Sequence, residues 1–373
     1  MGWLSVVAVI VLWGHATQGC TIITLDNSGF ASNAYSLLHA LPIFYRRNGT
    51  FFLDNSAFNY RCSENGGWHE FFSGEDKIVP WSRPKELAHG PDCARFRRED
   101  VDAIMYALLQ EKPEPLDFIG IKMAWRYRPW VQKIIDQQMR VLAKQKKPTI
   151  GFHIRGGDLL RQEKLKTRAL KPVDIVQTFA QAFPLVKGGT CVIVGDEHAR
   201  VTEAAKAAER HLRCKVLRTS PFWSKEGFSK ETYNEQGLDV KCSGTVKMLI
   251  DLELLAHTDY LVASDHSRWS QVLQYMRYVL YDKDRSTFVD ASADHADLYS
   301  TIRKYIRPES FTVTQSTPGG SGPEPRVPTA QKLTKKSGKK GKKAPMKLAQ
   351  PPPPPPPPEA VEDYSYEDEE DFE

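Results

Sequence analysis

From Thr149 onward, short apolar runs rich in β-branched residues alternate with stretches of helical periodicity. The pattern predicts strands at 149–154, 191–194, 214–218, 259–263 and a short one near Phe288. Helices are predicted at 172–183, 198–212, 244–256, 266–279 and 294–306. Strands separated by helices of that length demand a parallel sheet with right-handed crossovers, because the chain must return to the same edge before each new strand. The expectation is a Rossmann-like domain, in which the carboxyl ends of the strands face the ligand crevice. Three polar loops follow strand ends: the one after Ile154, Gly195-Asp196-Glu197, and Ser264-Asp265-His266-Ser267. They are expected to converge on one crevice. Each is also a candidate helix cap, Asp265 and Ser267 in particular.

The first of these loops is the richest in chemistry. The run Ile150, Phe152, Ile154 reads as a buried strand that stops at Gly156-Gly157 and empties into a segment carrying His153, Arg155, Asp158 and Glu163. Paired glycines let a backbone approach a ligand closely or merely turn. Arg155 and Asp158 could form a structural ion pair in an ordinary turn. The strand before them and the βα series after them favour an active-site edge, where a short loop brings a cation to phosphate.

The chain before Thr149 is organised less regularly. A strand at 21–25 leads through Asp26 to Asn33, a turn of small residues, into a helix near Ala34. A second strand spans 50–54, and an aromatic segment ends in Trp68, Phe71 and Phe72, residues more often used for a core than as a sugar platform. Val101, Ile104, Met105, Leu108 and Leu109 mark an amphipathic helix over 100–111. Asp100 and Asp102 suit its cap better than a metal, and Asp282 and Asp284 are no more persuasive, so no metal is expected. Pro129 opens another helix, running to about Lys144, with proline in the first turn, where its missing amide costs nothing. The lysines at 144, 146 and 147 then mark a domain boundary.

Residues 1–19 carry an eleven-residue apolar run, Trp3 to Trp13, followed by small and polar residues. That is short of the roughly 20 residues a spanning helix needs, so a cleaved signal peptide and a location in the secretory pathway lumen (ER/Golgi) or outside the cell are expected. An uncleaved anchor is the alternative, since the run has no Lys or Arg before it. Six scattered cysteines without C-x-x-C spacing then argue for disulfides, with Cys191 and Cys214, each opening a predicted strand, a plausible pair. Asn48-Gly49-Thr50 is a glycosylation sequon.

Beyond Pro308 the composition changes. Residues 332–347 hold eight lysines and no acid, 351–358 are eight prolines, and 359–373 hold nine acids and no base. Such a segment cannot bury enough apolar surface to offset its ordering entropy, so 311–373 is expected to be a disordered tail around a stiff polyproline rod. The rod is either a spacer or a ligand for a polyproline-binding partner. Residues 318–373 carry a net −1, which leaves +6 on the rest of a chain whose total is +5. A mildly basic folded part suits a small anionic ligand. Nucleic acid is a poor fit and is not expected as a partner, because the lysine block lacks interleaved aromatics and the expected leader points out of the cytosol.

Taken in order, several stretches resemble the α1,6-fucosyltransferases that modify N-glycan cores or chitin oligosaccharides. They are Gly66-Gly67-Trp68, Trp125 to Trp130 with its following helix, Ile150 to Arg155, Val194 to Glu197, Asp251 to Val262, and Ser267, and the resemblance runs roughly from Ile22 to Arg277. It implies an α/β, GT-B-like architecture with two domains, a Rossmann-like C-terminal nucleotide-binding domain, GDP-fucose as the donor, inversion at the anomeric carbon, a glycan or glycoprotein acceptor, and no metal or other cofactor. The expected organisation is signal peptide 1–19, acceptor-side α/β domain 20–147, GDP-sugar-binding domain 148–310 and tail 311–373. Carried over by position, the resemblance places His153 and Asp251 near the guanine base, Arg155 on the diphosphate, Ser267 as a further phosphate contact and Asp196 at the nucleotide-sugar end. Asp158 lies in the same nucleotide-binding loop. Glu163 is the implied base for the acceptor hydroxyl.

The chain departs from that pattern at Gly156, where a second arginine is expected, at Leu159 in place of a lysine, and at Ala31 and Ser32 in the first turn. The alternative reading is therefore a secreted binding or scaffold protein that retains the fold without catalysis. The tail is expected to be independent of either activity, since the Pro/Gly/Ser stretch from Ser316 to Pro328 decouples it. Truncation after Ser316 should leave melting temperature and GDP affinity unchanged, as thermal melts and calorimetry would show.

Overall fold

The computed structural model describes residues 20–45, 50–73, 94–97, 100–101, 119–156, 170–218, 229–264 and 267–292. The expected leader 1–19, the sequon at Asn48, most of the helix 100–111, the helix 294–306 and the tail 311–373 lie outside them.

Two parallel sheets, each accompanied by helices, make an α/β architecture. In the first, β1 (Cys20–Thr24) lies between β2 (Thr50–Asp54) and β3 (Ala94–Arg97), with α1 (Phe30–Tyr45) joining β1 to β2. The second sheet contains β4 (Thr149–Ile154), β5 (Thr190–Gly195), β6 (Lys215–Arg218), β7 (Tyr260–Ala263) and β8 (Phe288–Asp290), in the order β6-β5-β4-β7-β8, all parallel. This is the Rossmann order. The chain builds outward from β4 through β5 to β6, then returns to the opposite edge of β4 to place β7 and β8. The reversal falls between β4 and β7, so the crevice of an open α/β sheet lies at their carboxyl ends.

Among the described residues nine further elements connect the strands, besides the 3-10 turn Arg285–Thr287 just before β8. They are α2 (Trp68–Phe71), α3 (Ile119–Ala124), α4 (Pro129–Ala143), α5 (Pro172–Ala182), α6 (His198–Leu212), α7 (Lys230–Glu235), α8 (Leu238–His257), α9 (Arg268–Tyr275) and a π-turn, Met276–Leu280. Helix α8 begins six residues before the predicted start at 244. Its early turns bury Lys241, Gly244 and Thr245 among apolar neighbours, so no amphipathic stripe announces them. The predicted helix 266–279 is α-helical only to Tyr275. Strand β3 and helix α3 were not foreseen, because four and six residues carry too little periodicity to read.

Alternation along the central strands sorts the core into two layers. Ile150, Phe152 and Ile154 of β4, with Cys191 and Ile193 of β5, face α5 and α6. Val192 and Val194 point to the other side, where the core is continuous with the helices α8 and α9 and with the N-terminal aromatics. There Phe30 stacks on Trp68 at 5.5 Å and Trp68 on Phe72 at 4.3 Å, all three buried, so the aromatic segment is core as expected. The expected pair Cys191–Cys214 is formed, beside the β5–β6 ladder. A second disulfide, Cys62–Cys242, ties the loop after β2 to α8 across 180 residues of sequence. A cross-link of that span removes on the order of 5 kcal/mol of unfolded-chain entropy. Beside it, Tyr60 stacks on Tyr233 at 5.0 Å and Asn59 Nδ2 donates to Asn234 Oδ1 at 2.8 Å.

Two buried ionisable side chains brace the end of the sheet remote from the crevice. The Arg277 guanidinium, fully buried in the π-turn, donates to the carbonyls of Leu255, Ala256 and Thr258 at the end of α8, to that of Asp259, and to Thr287 Oγ1. A cation there meets the negative end of the helix dipole. Burial lowers its pKa only to about 10, so it stays charged at neutral pH. One turn earlier, Glu253 is 1 % exposed and accepts from Tyr127 Oη at 2.9 Å and Tyr281 Oη at 2.6 Å, with His257 Nδ1 at 3.4 Å.

Burial raises the Glu253 pKa above its usual 4.5 and outweighs the hydrogen bonds from Tyr281 and Tyr127, which pull it down. A carboxyl with a raised folded pKa adds stability that is complete below its ordinary value and lost as pH rises through the folded one. Wild type should therefore lose melting temperature relative to Glu253→Gln as pH is raised from about 4 towards neutrality. A difference that stays constant in melts across that range would contradict this assignment.

Candidate functional site

At the switch point the sequence places polar residues directly after buried strands. All six residues of β4 are buried, its edges are bonded to β5 and β7, and the first side chain to leave the sheet is that of Arg155. Its side chain is about one-third exposed, and Nη1 lies 3.6 Å from Asp196 Oδ2 in the loop after β5. The other oxygen of that carboxylate accepts from the Gly156 amide at 2.6 Å. One aspartate thus holds both the loop after β4 and the cation it carries. The carboxylate offsets part of the arginine's charge and restricts its rotamers.

Gly156 has a steric reason as well. A Cβ there would come within 2.5 Å of Glu197 Oε2 and 2.9 Å of Arg200 Cδ, side chains from the start of α6. Arg200 Nη2 in turn donates to the Leu170 carbonyl. The space that a larger residue at 156 would enter is therefore occupied from the neighbouring βα unit. Gly195 is equally constrained, since a Cβ would meet the Ile154 carbonyl at 2.7 Å.

On the β7 side, His153 spans the switch point. Its ring stacks on Trp269 at 4.3 Å and 21°, and its Nδ1 lies 3.1 Å from Ser270 Oγ, both residues in the first turn of α9. Burial first, and then the charge of Arg155, lower its pKa to about 3, so the imidazole is neutral. Ser267 stands at the N-cap position of α9, yet its side chain makes no capping hydrogen bond; only its backbone carbonyl, accepting from Gln271, starts the helix. The cap role considered for it from sequence is therefore not used.

The structure thus gathers His153, Arg155, Asp196 and Ser267 at the carboxyl ends of β4, β5 and β7. Asp251 lies on α8, one turn after Lys247; its charge opposes the lowering of the Lys247 pKa by burial. Asp158, Glu163 and Asp265 lie outside the described residues. Sequence reasoning missed Trp269 and Ser270 because an aromatic and a serine in a helix's first turn carry no signal of what stands opposite. Of the other acidic candidates, Asp100 Oδ2 accepts from the Arg97 amide in β3, Asp284 Oδ1 caps the 3-10 turn Arg285–Thr287 by accepting from the Ser286 amide, and Asp102 lies outside the described residues. Among the described residues no three or more His, Cys, Asp or Glu side chains converge as metal ligands.

No protein-family model matches the sequence, and no curated protein does. Among solved structures the chain is similar to the fucosyltransferase NodZ from Bradyrhizobium, with 14% identity, TM-score 0.46, and coverage of 69% of this chain and 93% of that one. It is similar to a variant of FUT1 from Arabidopsis thaliana in complex with GDP (11% identity, TM-score 0.43, 74% and 73% covered). A third similar structure is POFUT1 in complex with GDP (12% identity, TM-score 0.41, 71% and 97% covered).

A ring held neutral by burial should not titrate in the accessible range. The His153 side-chain resonances are expected to stay at their neutral positions from about pH 8 to 5 in NMR spectra of selectively labelled protein. Protonation above pH 5 would mean that the ring is not enclosed by Trp269 and Ser270.

Proposed function

We propose that this chain is an inverting glycosyltransferase that transfers fucose from GDP-fucose to a glycan hydroxyl in the secretory pathway. The observation that carries the reading is Arg155, the first residue to emerge from the central strand at the switch point, held by Asp196 where an anionic ligand would meet the sheet. The mildly basic folded part and the ordered set of sequence stretches from Gly66 to Ser267 support the same ligand class.

In this reading the guanine base lies near His153 and Asp251. With Nδ1 engaged by Ser270, it is Nε2 of the neutral imidazole that would meet the base. The diphosphate lies against Arg155 and Ser267, with Asp158 and Asp196 bordering the nucleotide-sugar end. Glu163 takes the proton of the acceptor hydroxyl as its oxygen attacks the anomeric carbon. The bond from that carbon to the diphosphate breaks on the opposite face, and the electron pair leaves on GDP. A fixed guanidinium stabilises the charge that develops there, and a planar donor matches phosphate oxygens. No metal is invoked.

The two residues proposed to act in the reaction should fail differently. Arg155→Ala should weaken GDP-fucose binding and turnover together. Glu163→Gln should spare donor affinity and lower kcat by about 10²–10⁴, the usual loss of a general base. Calorimetry with GDP and GDP-fucose, followed by steady-state kinetics over an acceptor array, measures both. If wild type binds neither nucleotide, the proposal fails. GDP binding without transfer to any acceptor would identify instead a scaffold that keeps the pocket, the outcome that Gly156 and Leu159, standing where cations are expected, would explain.

A further inference from the structure

Ser270 is fully buried in the first turn of α9, and its hydroxyl meets the ring of His153 across the switch point, Oγ to Nδ1 at 3.1 Å. The direction of that bond decides what the histidine offers on its other side. A neutral imidazole has one N–H and one bare nitrogen, and the hydrogen bond made by one nitrogen fixes the state of the other. The ring is neutral, because burial and then the charge of Arg155 hold its pKa down to about 3.

The hydrogen has two possible places. If Nδ1–H donates to Oγ, the hydroxyl hydrogen needs an acceptor of its own. A serine or threonine inside a helix finds one in the carbonyl a turn earlier. Ser243 does so with Asp239 at 2.9 Å, and Thr245 with Lys241 at 2.7 Å, both in α8. Among the described residues Ser270 makes no such bond, and the nearby Ser267 carbonyl accepts from the Gln271 amide. A buried O–H would be left without a partner, which costs more than the bond to Nδ1 contributes. If instead the hydroxyl donates to a bare Nδ1, one bond satisfies both groups. His257 shows the opposite case: its Nδ1 lies 2.9 Å from the Glu253 carbonyl, an oxygen that can only accept, so the hydrogen is on Nδ1.

We infer that Ser270 is a positioning residue whose hydroxyl donates to His153 Nδ1 and so fixes the ring in its Nε2–H form, presenting a hydrogen-bond donor to the ligand. The inference rests on the GDP-sugar reading, which brings Nε2 to the base without saying whether it gives or accepts a hydrogen. Ring geometry supports it. The two nitrogens point away from one another, so a ring tied to α9 through Nδ1 directs Nε2 away from that helix. Turned over, the ring would set a carbon against the hydroxyl and leave it unpaired, while Trp269, stacked at 4.3 Å, holds the plane. Among the described residues the bond to Ser270 is the ring's one hydrogen bond, so Nε2–H is left for the ligand. Guanine has the carbonyl O6 where adenine has an amino group. An N–H donor attracts the first and opposes the second, so the serine sets the choice of base through the histidine.

Nitrogen NMR of the full chain, labelled on histidine, tests the assignment directly. Wild type should show His153 with a protonated Nε2 and a bare Nδ1, its signals identified by their loss in His153→Gln. Ser270→Thr, which keeps the hydroxyl, should keep the pattern, and Ser270→Ala should give averaged signals of the two tautomers. Calorimetry with GDP, inosine diphosphate and ADP reads the consequence. Wild type should prefer the two oxopurines over ADP by about tenfold or more. In Ser270→Ala, where only part of the population has Nε2–H, that ratio should fall by about threefold or more, and Ser270→Thr should restore it. The wild-type spectrum needs no variant, so poor folding of a substituted chain leaves the inference decidable. Hydrogen on Nδ1 in wild type, or a folded Ser270→Ala with the wild-type pattern, overturns the inference and leaves the GDP-sugar reading intact. Wild type that binds ADP as tightly as GDP, or binds no nucleotide, overturns the GDP-sugar reading, while the spectrum decides the role of Ser270 separately.

Discussion

Strand β4 is bonded on both edges and buried on both faces, and most of the candidate site follows from that. Inside such a strand a polar side chain has no water and few partners, so the apolar run must continue to its carboxyl end. Towards that end His153 is the exception, as Thr149, bonded to Asp259, is at the other. His153 is tolerated because it is neutral and because Trp269 and Ser270 close over it. Everything charged is displaced to Arg155 and beyond, where the reversal of strand order opens the sheet. The cation lies where it does because the strand ends there.

The rest of the molecule keeps that edge in place. Asp196 holds the backbone and the guanidinium of the same loop, so the position of Arg155 depends on the loop after β5 as much as on its own. At the opposite end, Arg277 closes the carboxyl end of α8, and Glu253 joins α8 to Tyr127 and Tyr281. Arg277 is a buried charge with several hydrogen bonds, the arrangement in which desolvation is most nearly offset, whereas at Glu253 burial outweighs the hydrogen bonds and favours the neutral carboxyl. The Cys62–Cys242 bond adds a covalent tie between the same two parts of the chain. Together these contacts make one continuous core of the N-terminal aromatics and the helices α8 and α9.

Charge is handled consistently around the switch point. Two buried histidines, His39 and His153, each stand beside an arginine and are each held uncharged by burial and by that arginine. Positive potential is thereby concentrated on guanidinium groups, which do not titrate under physiological conditions. Phosphate affinity resting on such groups would be insensitive to small changes in pH.

Period-two apolar runs and capped helices in alternation determined, from sequence alone, the parallel sheet from Thr149 onward and the carboxyl-end location of Arg155, and made Cys191 and Cys214, each opening a strand, a plausible pair that the structure forms. These features are legible because each depends on residues close in the chain or on the one sheet that alternation permits. The aromatic segment around Trp68 was legible as core for the same reason, since large rings in such number must be buried somewhere. Only the tertiary structure decided that Trp269 and Ser270 enclose His153, that Glu197 and Arg200 occupy the space beside Gly156, that Cys62 reaches Cys242, and that Tyr35 carries Arg268. Each of these contacts joins elements far apart in sequence, 117 residues in the case of His153 and Ser270, and periodicity carries no information about what stands opposite. Arg268 stands at a helix start that the dipole disfavours, and the ring that carries it lies on α1, far away in the chain.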